Sequence, residues 1–279
     1  MPIPYASSSV AGVVFGLLLS APAAGFEPMS RAYRAQAVVP ANVVILLDSS
    51  SSMAMTMMGE QSRLQVARDA VRRLLHQQRN TRFGLFAFNS SSGIGTSRET
   101  AGGRLLVEVA GISPGIAGEE HLRRLEEALD ALAPDTGTNP DLYTWTPLAE
   151  THYEISRYLR GMDSFYNPAQ ATYSSPLQWR CQPSAALLIT DGLPTYDSQF
   201  PTSGDQDPAG LLSASGGHYG LPDWDGNADN DANGEPLHQP GSTFYLDDVA
   251  AFARDLDLRT GGQDAAGASW DDPLHPRQS

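Results

Sequence analysis

Three short segments hold the residue types best suited to chemistry. Asp48-Ser49-Ser50-Ser51-Ser52 follows an apolar run, Thr146-Pro147 opens a helical pattern, and Thr190-Asp191-Gly192 ends a second apolar run. Asp48, Ser50 and Ser52 alternate along the chain, so their oxygens can converge on one point. Carboxylate and hydroxyl oxygens are hard donors, suited to Mg²⁺, Mn²⁺ or Ca²⁺ rather than zinc or copper. Taken singly, each segment has an ordinary explanation. The serines can be a polar loop, Thr146 an N-cap with Pro at the first helical position, and Asp191-Gly192 a turn. Their coincidence, in order and each at the end of an element, singles out Asp48, Ser50, Ser52, Thr146 and Asp191.

A second oxygen-rich stretch is Asp223-Trp224-Asp225-Gly226-Asn227-Ala228-Asp229-Asn230-Asp231-Ala232-Asn233. Asp229, Asp231, Asn233 and Gly234 match the first half of an EF-hand loop, but Pro240 stands where the bidentate Glu belongs. A looser Ca²⁺ loop built from Asp225, Asn227, Asp229, Asp231 and Asn233 remains a candidate beside a plain solvated loop tip.

The elements that must position these residues follow from periodicity. Residues 43–48 form an apolar run of the kind buried on both faces in a parallel sheet, and 184–190 form another. Ligands in open α/β sheets bind at the carboxyl edge of such strands. Residues 82–89 and 103–110 read as a second and third strand, joined by a Ser/Gly-rich hairpin connection. Helical spacing predicts helices over 62–78, 119–132, 147–160 and 246–258. In the first helix Leu64, Ala67, Val71, Leu74 and Leu75 share a face, which assigns Arg63, Arg68, Arg72 and Arg73 to solvent. Met53, Met55, Met57 and Met58 lie between the first strand and that helix and are expected to cover its start. His152 falls on the apolar stripe of the third helix, as a packed or half-exposed side chain. Residues 197–243 are a long polar insertion. The predicted class is α/β, a doubly wound and mostly parallel sheet.

Formal net charge is -14, which argues against nucleic-acid binding. All 18 basic residues are Arg, so Schiff-base chemistry and a phosphate-binding loop lysine are excluded. The single cysteine, Cys181, forms no disulfide within the chain. Residues 1–24 read as a secretory signal: 10–19 are apolar and Ala21-Pro22-Ala23 resembles a cleavage site, although no basic residue precedes them. That apolar stretch is shorter than the roughly 20 residues a bilayer span needs. Residues 25–41 read as a linker.

The three oxygen-bearing segments resemble the metal-ion-dependent adhesion site (MIDAS) of von Willebrand factor A domains, which pairs DxSxS on the first strand with a later Thr and an Asp after the fourth strand. The resemblance implies a Rossmann-like fold over 42–279. It also implies Mg²⁺ or Mn²⁺ bound directly by Ser50, Ser52 and Thr146, with Asp48 and Asp191 acting through water and by orienting the serines. The ion's open position would take a carboxylate from a protein partner such as a host receptor, matrix protein or pilus subunit. Ser51, and Thr144-Trp145 before Thr146, replace glycines usual in that pattern. The flanks Pro176-Leu177-Gln178-Trp179-Arg180-Cys181-Gln182, Asp191-Gly192-Leu193-Pro194-Thr195-Tyr196-Asp197 and Leu246-Asp247-Asp248-Val249-Ala250 resemble the N-terminal region of PilY-type type IV pilus tip proteins. That implies a non-enzymatic adhesion or pilus-biogenesis role at the periplasm, cell surface or pilus tip.

A complete A domain carries further strands after the fourth, so the resemblance also leads us to expect a fragment with strand four at an open edge. The enzyme alternative, a phosphohydrolase of the haloacid dehalogenase type, needs an acid/base Asp where Ser50 stands and a Lys the chain lacks. A structural remnant that binds nothing is the third reading.

Overall fold

The computed structural model describes residues 39–57, 60–89, 101–134, 145–195, 197–201, 221, 224 and 243–271. Strand β1 (Asn42–Leu47) is followed by a 3-10 turn (Ser51–Ala54), helix α1 (Arg63–Gln77), β2 (Arg82–Phe88) and β3 (Gly103–Gly111). Then come α2 (Ile116–Ala131), α3 (Leu148–Arg160), β4 (Ser184–Ile189) and α4 (Tyr245–Asp255). The sheet order is β3-β2-β1-β4. β1 pairs in parallel with β2 and β4, and β2 pairs antiparallel with β3. The fold is therefore α/β with a mostly parallel sheet.

β1 sits centrally because both its faces are apolar. Val44 and Leu46 point to one core, with Tyr153 and Tyr158 of α3 and Val249 and Phe252 of α4. Ile45 and Leu47 point to the other, with Leu64, Val71 and Leu75 of α1 and Leu122, Leu125 and Leu129 of α2. Helices thus cover both faces. The β1–β2 and β1–β4 pairings bring the ends of β1 and β4 to one edge: Leu47 pairs with Ile189, and the Asp48 N–H donates to the Ile189 carbonyl at 2.9 Å. Asp48 and Asp191 are neighbours for that reason.

Two expectations are corrected. The stretch 197–243 is not simply a polar excursion: Phe200, Leu221 and Trp224 are buried in the α3–α4 core, and Trp224 Nε1 donates to Asp255 at 3.2 Å. The methionines also divide. Met53 is buried under α1, whereas Met55 and Met57 are 57% and 51% exposed. Among the described residues, β4 pairs on one side only, with Leu187 partly exposed, as the edge-strand reading expects. Cys181 is free and exposed. No helix among the described residues is long and apolar enough to cross a membrane.

Candidate metal centre

The carboxyl edge of β1 and β4 carries a connected oxygen network. Asp48 is fully buried, and its Oδ1 accepts the Ser50 N–H at 2.7 Å. Its Oδ2 accepts the Thr190 hydroxyl at 2.6 Å. The Ser50 and Ser52 hydroxyls lie 3.0 Å apart, and Ser52 donates to Asp191 Oδ1 at 2.8 Å. The structure thus joins Asp191 to Asp48, Ser50 and Ser52, which precede it by about 140 residues. The 3-10 turn begins at Ser51 and folds the serines back over the end of β1, with the Met53 N–H donating to the Ser50 carbonyl at 3.1 Å.

Thr146 is not bonded into this network by any contact among the described residues; it meets the loop after β4 instead. Its N–H donates to Thr195 Oγ1 at 3.2 Å, and the Thr195 N–H donates to its carbonyl at 3.1 Å. This reciprocal pair ties the start of α3 to the loop after β4. The ordinary alternative for Thr146, an N-cap of α3, does not hold: Pro147 occupies the cap position, with no side-chain cap bond. Asp197 does that work from across the loop, accepting the Ala149 and Glu150 N–H groups at 2.6 and 2.7 Å. The Thr146 hydroxyl is left uncommitted to the helix.

Burial dominates the electrostatics. It pushes the Asp48 carboxyl above its usual range, against hydrogen bonds from Ser50 and Thr190, and the nearby Asp191 charge adds to the rise. Two carboxylates and three hydroxyls of this kind fit a small, hard divalent cation, which would offset the cost of burying negative charge. Among the described residues no three Asp, Glu, His or Cys side chains gather as a metal site. Asp225, Asn227, Asp229, Asp231 and Asn233 lie outside the described residues.

Several residues of the site escape a sequence reading. Arg63, assigned to solvent, instead pairs through Nη1 with Asp191 Oδ2 at 2.5 Å. Arg72 likewise pairs with Asp69 and Asp130. Thr190, next to Asp191, also joins the site by its bond to Asp48. Glu150 and Asp197 form a buried acidic pair behind the site. Glu150 accepts the Gly102 and Gln199 N–H groups, each at 2.7 Å. Burial, and then the Asp197 charge, push Glu150 well up, and burial raises Asp197 to about 7.

Residues 43–142 match the von Willebrand factor type A domain family. The matched span is under half of the chain; it holds Asp48, Ser50 and Ser52 and stops short of Thr146 and Asp191. No curated protein matches the chain. Among solved structures, the chain is similar to BatB, a conserved hypothetical protein of Bacteroides thetaiotaomicron. Identity there is 18% over 42% of this chain and 45% of that one, with TM-score 0.30. It is also similar to the pilus adhesin SpaC of Lactobacillus rhamnosus GG, at 19% over 79% and 24%, TM-score 0.39. A third is the vWF domain of the type V pili tip protein Mfa5 of Porphyromonas gingivalis, at 16% over 61% and 44%, TM-score 0.35. The chain spans less than half the length of each.

Proposed function

We propose that this chain is a metal-dependent protein-interaction module that captures a partner carboxylate through a cation held by Asp48, Ser50, Ser52, Thr146 and Asp191. The observation that carries the reading is the hydrogen-bonded convergence of Asp48, Ser50, Ser52 and Asp191 at one sheet edge. Hard oxygens with only two carboxylates among them favour Mg²⁺ or Mn²⁺ with coordinated water. When bound, such an ion supplies an electrophilic position for an external carboxylate. The chain's own residues hold the hydroxyls in place: Asp48 anchors the serine turn, Asp191 accepts from Ser52, and Thr195 fixes the backbone of Thr146.

The role is binding rather than catalysis, since Ser50 stands where a phosphohydrolase of this arrangement would need its acid/base. The flanks at 176–182, 191–197 and 246–250 support placement on a type IV pilus tip or pilus-biogenesis protein, and the signal-like residues 1–24 support a secreted location. Ca²⁺ in the loop holding Asp225 and Asp231 belongs to the same proposal, on sequence grounds alone.

The test is a Mn²⁺ titration followed by calorimetry and melting temperature. Wild type should bind and melt higher with the ion. Asp48→Asn should weaken binding by about 10- to 100-fold, the range for losing a ligand-orienting partner, and Ser52→Ala, which removes a direct ligand, by at least as much. A wild-type protein whose melting temperature ignores Mn²⁺ and Mg²⁺ would sink the reading.

A further inference from the structure

Arg63 is placed against electrostatic preference. It is the first residue of α1, where the helix dipole disfavours a cation, and no acidic residue in that first turn compensates it. The helix start is already secured by a complete capping box between Ser62 and Gln65, so Arg63 contributes nothing to it. Its counter-ion lies 128 residues away: Nη1 meets Asp191 Oδ2 at 2.5 Å while Asp191 Oδ1 accepts from Ser52. One carboxylate is therefore shared between the serine motif and a guanidinium.

The two partners differ in freedom. Asp191 is 12% exposed and Arg63 37% exposed. Beside the pair opens a cavity of about 470 Å³ lined by Met53, Met57, Val66, Ala67 and Ala70. The arginine stem can lie along such apolar walls while its head moves to solvent, so the guanidinium has somewhere to go.

Resting on the metal-site reading above, we propose that Arg63 is a built-in counter-cation that competes with the divalent ion for Asp191. Its fork neutralises Asp191 when no ion is bound, and ion binding displaces it onto the open face beside Met57. Arg63 then sets the threshold ion concentration at which the module becomes competent, and stands as a second positive group next to the captured carboxylate.

The experiment compares Mn²⁺ affinity by calorimetry at low salt in wild type, Arg63→Gln and Arg63→Lys, with unfolding in chelator as a check on the fold. Losing a half-exposed competing ion pair should tighten Mn²⁺ binding by up to about fivefold in Arg63→Gln, and by less in Arg63→Lys, which keeps the charge without the fork. An Arg63→Gln affinity equal to or weaker than wild type overturns the competition and leaves the site reading intact. No binding by either protein overturns both. In wild type, Mg²⁺ should move the Arg63 guanidinium NMR signals toward those of a solvent-exposed arginine, whatever the fate of the variants. Signals unmoved at saturating Mg²⁺ also refute it.

Discussion

Asn at position 197 should remove a pH dependence that wild type carries. Asp197 is fully buried and caps α3 by accepting two backbone N–H groups; burial raises its carboxyl, and its charge raises that of neighbouring Glu150. A carboxyl held at about 7, against its ordinary 3.8, corresponds to roughly 4 kcal/mol between its two protonation states. Because the folded value is raised, the stabilisation is fully present below about pH 4 and is lost as pH rises through about 7. Wild-type unfolding free energy, followed by urea titration from pH 4 to 8, should therefore fall by up to about 4 kcal/mol from this source.

Asp197→Asn cannot ionise, and its amide group turns a donor toward one of the two N–H groups. The variant should be less stable than wild type at pH 5 by about 1–3 kcal/mol, and the gap should close or reverse by pH 8. Parallel stability profiles for the two proteins would refute the assignment of a shared buried charge behind α3.

Two further outcomes follow from the same geometry. Gly102 has φ +65°, and an added Cβ would lie 2.5 Å from the Tyr166 ring, while its N–H donates to Glu150. Gly102→Ala should cost about 2–4 kcal/mol by urea titration, and a loss below 0.5 kcal/mol would show that the ring moves aside freely. Thr190→Val removes the hydroxyl bonded to buried Asp48. It should cost about 1–3 kcal/mol and weaken Mn²⁺ binding, and an unchanged affinity would show that Thr190 does not orient Asp48.

The framework was legible because β1 and β4 are runs with apolar side chains on both faces, and such runs admit few positions in an open sheet. The observed helices α1 to α4 agree with the helical spacing to within a few residues at each end. The oxygen cluster was legible where polar residue and strand end coincide: Asp48, Ser50 and Ser52 follow β1 directly, and Asp191 follows β4 by two residues. What escaped was made by tertiary contact. Arg63 lies on the polar side of an amphipathic helix, and a helical projection cannot tell an exposed arginine from one paired with a distant carboxylate. Asp197 reads as the first residue of a polar insertion, and only the folded loop shows it capping a helix that begins about fifty residues earlier. The ordinary N-cap alternative for Thr146 fails for the same reason, since Asp197 already caps that helix from across the loop.

These contacts divide the proposed ligand set into two bodies. Asp48, Ser50, Ser52 and Asp191 bond to one another across β1 and β4, and parallel pairing of those strands fixes their spacing. Thr146 precedes α3 and is tied to the loop after β4, by Thr195 at its backbone and by Asp197 at the helix start. The geometry of any shared cation therefore depends on that loop as much as on the ligands. A substitution at Thr195 or Asp197 changes where Thr146 sits without touching an oxygen that would meet the ion. Arg63 acts on the other body, because it draws on the Asp191 carboxylate that closes the serine turn. Under the proposed reading the site would be adjustable from both sides: Asp197 holds the start of α3 next to Thr146, and half-exposed Arg63 pairs with Asp191.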